Sequence, residues 1–310
     1  MSPENWYLTD DLDEFLARAG DFLSSRPALH TVPLSVTEAL RRRGPHAFGA
    51  EDPVFGILDD GTVRAVLVHT PPFHLHVTTL TPGEADALAA RLAEQAHPVP
   101  GLSGPRETAE AFAAAWQRRS GTAGTLTQRQ RLYRLDELTA PEPRPEGRAR
   151  IAGPADRELL IRWKRAFDGD TGHGPGQDPA GWADARIAYG GITLWETPDG
   201  TPVSLAGVTP ETAGQVRVAP VYTPAELRGR GYAGAVTAEV SRAAREAGTA
   251  EILLFTDLAN PTSNGLYQRI GYRPVADFAV WRFGDRGEPQ PQGHGTHGVS
   301  ASWCAGQDGV

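Results

Sequence analysis

Val216-Arg-Val-Ala-Pro-Val-Tyr-Thr-Pro-Ala-Glu-Leu-Arg-Gly-Arg-Gly-Tyr-Ala233 is the stretch on which the reading of this chain turns. Its β-prone opening, Val216 to Thr223, gives way to a short loop that begins at Pro224. The loop delivers Arg228-Gly229-Arg230-Gly231-Tyr232-Ala233 onto the start of a helix. Glycines at such a junction let the backbone approach a ligand, and a helix start offers unpaired N–H groups at the positive end of its dipole. A phosphate or pyrophosphate suits it.

Downstream, Ala233, Val236, Val240, Ala243 and Ala247 recur at helical steps up to Gly248, and Ile252 to Phe255 reads as a short buried strand. Asn260-Pro261 opens a last helix, with Asn at the cap and Pro at the first position, Gly271 closes it, and Val275 to Phe283 is a final strand. Upstream lie a strand at Ala149 to Ala152, a helix at Pro154 to Phe167, a Gly-rich loop at Asp168 to Gly176 and a helix at Pro179 to Ala188. Strands at Ile192 to Glu196 and Val203 to Val208 follow. The first half repeats the rhythm: helices near Leu12 to Ser24 and Val36 to Arg42, then strands at Val54 to Leu58, Val63 to His69 and His74 to Thr79. Helices at Glu84 to Gln95 and Arg106 to Arg118 precede a strand at Thr125 to Leu135. The order predicts a mixed α/β fold, duplicated, with a diverged first copy. In that copy Pro100-Gly-Leu-Ser-Gly-Pro105 stands before a helix where the second half has arginines and close glycines.

Gly229-Arg230-Gly231-Tyr232-Ala233-Gly234 is also a G-x-G-x-x-G string, the fingerprint of an NAD-binding fold. Against that reading, Pro224 to Arg228 separate the strand from the first glycine, and too little chain follows for a second mononucleotide half. The competing pattern is Arg228-x-x-Gly231-x-Ala233. With Asn260, Tyr267 seven residues later, and the Gly271-Tyr272 pair, it resembles the acetyl-coenzyme A segments of the GNAT N-acetyltransferase superfamily. The two matches span about 60 residues, and the strand order extends the likeness to 148–284. The resemblance implies two tandem GNAT-like acyltransferase domains of which the second is intact.

It also implies a site. The N–H groups of Gly229, Arg230, Gly231, Tyr232 and Ala233 would ring the coenzyme pyrophosphate, with charge from Arg228 and Arg230. The strand holding Val221 and Thr223, splayed from its neighbour, would bind the pantetheine arm, and the Val221 N–H would polarise the acetyl carbonyl. Asn260 is either a plain N-cap or a pantetheine contact, with Asn264 as the alternative amide. Tyr267 is either a core aromatic packed by Ile270 or the acid that protonates the departing thiolate. Transfer to a primary amine, expected on a small molecule, would be direct, in a ternary complex, since Cys304 is the only cysteine and lies in the tail. Glu196 and Asp257 are candidate bases, each with a structural role as the alternative. His173 could border the acceptor pocket, whereas His74 and His76 read as core or surface. A silent acyl-CoA-binding protein and, last, a nicotinamide enzyme are the other readings.

The chain has 310 residues, 40% hydrophobic and 22% charged, with a formal charge of −8. That is a soluble globular composition of two-domain length, ill-suited to nucleic acid or an anionic membrane. Residues 141–147, Pro-Glu-Pro-Arg-Pro-Glu-Gly, read as a stiff linker. The expected division is therefore a degenerate domain at 1–140, the linker, a catalytic domain at 148–284 and a disordered tail at 285–310. The degenerate copy would shape the acceptor site or an interface. His294 and His297 in the tail are too few for a metal site. No signal or spanning segment shows, so a cytoplasmic monomer or homodimer is expected.

Overall fold

A computed structural model describes residues 6–171 and 178–284. His173, His294, His297 and Cys304 lie outside the described residues, as do the tail from 285 and the part of the Gly-rich loop from 172. Residues 168–171, read above as loop, continue the preceding helix.

By spatial contact the chain forms two compact units. Unit 1 runs to Gln130 and is completed by the stretch from Ala276, and unit 2 is Arg131–Val275. Unit 1 contains β1 (Trp6–Thr9), α1 (Leu12–Ser24), α2 (Thr31–Arg43), β2 (Val54–Asp59), β3 (Val63–His69) and β4 (Leu75–Val77). α3 (Pro82–Glu94), β5 (Gly101–Pro105), α4 (Arg106–Ser120) and the start of β6 (Gly124–Leu135) follow. Unit 2 takes the end of β6, then β7 (Arg148–Ile151), α5 (Arg157–Thr171), α6 (Pro179–Ala188), β8 (Ile192–Glu196), β9 (Pro202–Val208) and β10 (Gln215–Tyr222). α7 (Tyr232–Glu246), β11 (Glu251–Asp257), α8 (Pro261–Arg269) and the start of β12 (Tyr272–Phe283) complete it.

The two series have the same order of strands and helices. They also pair alike: β1-β2-β3-β4 and β7-β8-β9-β10 are antiparallel runs. β4-β5 and β10-β11 are the parallel pairs that follow them. The duplication is therefore in the topology. The domain boundary departs from the sequence reading. Residues 141–147 lie inside unit 2, and the segment from Ala276, assigned above to the second domain, belongs to unit 1, where Phe278–Arg282 pairs with β5.

Period-two alternation gives unit 2 a core on each face of its sheet. On one face Val216, Val218, Ile252 and Leu254 meet Val236 and Val240 of α7 and Tyr267 of α8. On the other, Leu194, Leu205 and Tyr222 meet Leu160 and Phe167 of α5 and Trp182 of α6. In unit 1, Leu88 and Leu92 of α3 and Phe112 and Trp116 of α4 pack with Leu67, Leu75, Leu102, Ala279 and Phe283. The proline-rich 141–147 segment is docked. The Arg144 guanidinium stands 5.3 Å from the Trp195 ring centre and 3.2 Å from Glu239. The Trp195 indole N–H donates to the Glu146 carbonyl at 3.1 Å.

Candidate functional site

β10 and β11 run parallel only over Gln215–Arg217. β11 continues to Asp257, while β10, bulged between Val218 and Val221, stays paired with β9 alone. At the carboxyl ends of these parting strands lies a cavity of about 460 Å³, where open α/β sheets bind ligands. Thr223 lines it from the end of β10 and Asn260 from the end of β11, with the start of α7 and one face of α8.

The junction has the geometry of an anion seat. Gly229 and Gly231 have φ of +76° and +83°, a left-handed conformation that glycine adopts without a Cβ penalty. Nothing lies within 4 Å of where a side chain at Gly229 would begin. Gly231 caps α7 with no side-chain acceptor, and no acidic residue stands in the first turn, so its N–H groups have no carboxylate of their own. The equivalent helix of unit 1 is closed. Thr81 and Glu84 form a reciprocal capping box, and Pro82 removes an N–H. Glu84 also pairs with Arg64. The element order places this junction, Thr78–Thr81, as the counterpart of the arginine–glycine loop. The Pro100–Pro105 stretch compared with it above is largely strand β5.

Thr223, Arg228, Gly229, Arg230, Gly231, Tyr232, Ala233 and Asn260 all line the cavity, together with Leu227, Gly234, Thr262, Leu266 and Arg269, which sequence reading missed. Val221, Asn264 and Tyr267 are not on this wall. Val221 is buried in β10 opposite Ala206. Asn264 spends its amide N–H groups on the Asp257 and Asn260 carbonyls, both at 2.7 Å, and its oxygen accepts from the Tyr133 hydroxyl at 2.9 Å. Asn260 does cap α8, accepting from the Ser263 N–H at 3.0 Å, while also facing the cavity. Its backbone, φ −105° and ψ 87°, is not helical. The two-turn spacing to Tyr267 therefore does not put the two on one face. Tyr267 shares the buried face with Ser263, its ring centre 6.1 Å from that of Tyr272 in an edge-on arrangement, and burial raises its pKa.

The charges are placed unequally. Arg228 donates to the Thr223 carbonyl at 3.0 Å and pairs with Asp170 of α5 at 2.5 Å. Arg230 is exposed and donates to the Glu226 carbonyl at 3.2 Å. Of the two candidate bases, one is tied into buried ion pairs and the other accepts from a local turn. Buried Glu196 pairs with Arg150 at 2.5 Å and Arg148 at 3.6 Å. Asp257 accepts from the Ala259 N–H at 2.7 Å. Of the two histidines read as core or surface, His76 is a core group that bonds Ser103 at 2.8 Å and stacks on Phe278, and His74 is half-buried, its pKa pushed down to about 4 by burial.

The glycine of the downstream motif is structural. A Cβ on Gly271, whose φ is +106°, would meet the Glu137 carbonyl oxygen at 1.8 Å, and the Tyr272 hydroxyl bonds Ser241 at 2.7 Å. No described helix is long and apolar enough to cross a membrane.

Residues 210–281 match the model of the FR47-like protein family. No curated protein matches the sequence. Among solved structures, a GCN5-related N-acetyltransferase from Sphaerobacter thermophilus is similar at 17% identity and a TM-score of 0.58, covering 91% of this chain and 96% of its own. A Drosophila protein is similar at 15% identity and 0.62, covering 89% and 96%. A GNAT-family acetyltransferase from Colwellia psychrerythraea is similar at 12% and 0.57, covering 90% and 99%.

Proposed function

We infer that this chain, which has the GNAT N-acetyltransferase fold, is an acyltransferase whose unit 2 binds acetyl-CoA and passes the acetyl group to a primary amine of a small molecule. The observation that carries this is the uncapped start of α7, opening with its two left-handed glycines onto a cavity between parting parallel strands. At about 460 Å³ the cavity falls in the usual range for small-molecule sites. The N–H groups from Gly229 to Ala233 hold the pyrophosphate, and Arg230 adds charge. Thr223 and the backbone of β10 beyond Arg217 hold the pantetheine arm, and the Val221 N–H meets the carbonyl oxygen where charge develops. Acetyl-CoA supplies the thioester that the neutral amine attacks directly. The Tyr267 phenol, protonated at neutral pH and lying behind the wall that Leu266 and Arg269 make, is the donor we assign to the departing sulfur. The net charge of −8 agrees with an amine acceptor and with neither nucleic acid nor membrane as partner. We place the protein in the cytoplasm as a monomer or homodimer.

Coenzyme A and acetyl-CoA are expected to raise the melting temperature, and NAD and ATP are not. Equal stabilisation by NAD would sink the reading.

A second reading, an acyl-CoA-binding protein without turnover, is favoured by one observation. Glu196 and Asp257 are both committed to structural contacts, and Tyr267 is off the cavity wall. Coenzyme A release across a panel of amino acids, polyamines and aminoglycosides separates the two: release with any amine removes the silent reading.

A further inference from the structure

We propose that Arg269 binds the donor's second phosphate, the 3′-phosphate of its adenosine ribose, and makes the site selective for coenzyme A over dephospho-coenzyme A. This rests on the coenzyme reading above.

Three guanidinium groups stand on the cavity wall. Arg228 is held by Asp170 and the Thr223 carbonyl. Arg230 belongs to the glycine junction itself, beside the N–H groups that take the pyrophosphate. Arg269 comes from a different element, the last turn of α8, and among the described residues it has no hydrogen-bond or ion-pair partner. An exposed arginine is by default a solvated one, but two observations set this one apart. Thr262, Leu266 and Arg269 follow one another at steps of four and three and all face the cavity, so the side chain is on the wall. The guanidinium also lies back along α8 over Gly265, where a Cβ would come within 3.2 Å of Nη1. A glycine inside a short helix costs about 1 kcal/mol relative to alanine. Here it leaves the space in which the arginine lies.

A cation with no partner among the described residues, on the wall of a site whose pyrophosphate seat is already furnished, calls for a second anion. Coenzyme A carries one, a phosphate monoester that is nearly a dianion at neutral pH. The planar fork of arginine matches phosphate oxygens two at a time. Dephospho-coenzyme A has the same pantetheine arm and pyrophosphate and lacks only this group.

The test is calorimetric titration of the full chain with coenzyme A and with dephospho-coenzyme A at one fixed ionic strength, for the wild type, Arg269→Gln and Arg269→Lys. The wild type is expected to prefer coenzyme A by about tenfold or more, the size of a charge-assisted contact. Arg269→Gln should bring the ratio to within about threefold by weakening coenzyme A alone, and Arg269→Lys should fall between. Because Arg269 is exposed and has no partner among the described residues, its variants should melt with the wild type. Equal affinity of the wild type for the two ligands would overturn the proposal. So would an Arg269→Gln variant that loses both ligands equally, since the arginine would then act on the pyrophosphate or as diffuse charge. Binding of neither ligand would instead overturn the coenzyme reading, and this inference with it.

Discussion

The ring of Tyr267 is buried to 1% exposure, its edge against Tyr272, while the cavity wall one helical step away is made by Leu266 and Arg269. Tyr267→Phe keeps that packing and removes only the proton. If the phenol is the acid, turnover at saturating acetyl-CoA should fall about 10²-fold, the low end for a positioned acid. A thiol with a pKa of about 8.5 already makes a fair leaving group. The Michaelis constant should change little. A fall of less than about threefold, in a variant of unchanged melting temperature, would return Tyr267 to the core and leave the proton to water. Gly231 is a less clean probe than its exposed position suggests. At φ +83°, a valine there would strain the backbone as well as crowd the seat, so lost binding would not by itself report on phosphate contact.

Between elements, the ion pair of Arg228 with Asp170 joins the end of α5 to the loop that starts α7. Both side chains are partly exposed, at 25% and 41%, so the pair stabilises the fold by less than about 1 kcal/mol. It gives Arg228, though on the cavity wall, a carboxylate partner that Arg230 lacks among the described residues. Arg230→Gln is therefore expected to weaken coenzyme A binding more than Arg228→Gln does, by titration. The reverse order would show that the pair yields to the phosphate. Local chemistry made much of this region legible from the chain alone: the strand, the glycine junction, the Asn260 cap with Pro261 behind it. Arg269 was missed because its meaning depends on which face of α8 is turned to the cavity. Counting from the non-helical cap Asn260 gave the wrong face. A count from Thr262 through Leu266 would have reached it. The Asn264 network was hidden for a different reason, because its partner Tyr133 is supplied by β6, more than a hundred positions away in the chain.

Over the whole molecule, β6 and β12 each begin in one unit and end in the other, which no periodicity could announce. A fragment cut at the proline-rich segment, 148–284, therefore lacks Tyr133 and Leu135 from the core of unit 2. It keeps Phe278 to Arg282 without the β5 strand they pair with. We expect it to be insoluble or unfolded, whereas the intact chain melts cooperatively and binds coenzyme A. A soluble 148–284 fragment with full affinity would show that the shared strands are dispensable.

The same threading sets a timetable for synthesis. A chain leaving the ribosome has all of β1 to β5 long before Ala276 exists, so the edge of β5 waits, hydrogen-bond donors and acceptors unmet, until nearly the whole second unit has been made. In the stretch of β5 that faces β12, a side chain on Gly101 would begin only 2.4 Å from the Trp281 carbonyl oxygen. That nascent edge is shaped for one late-arriving strand. Until it arrives, the open side of β5 is exposed to unwanted strand pairing.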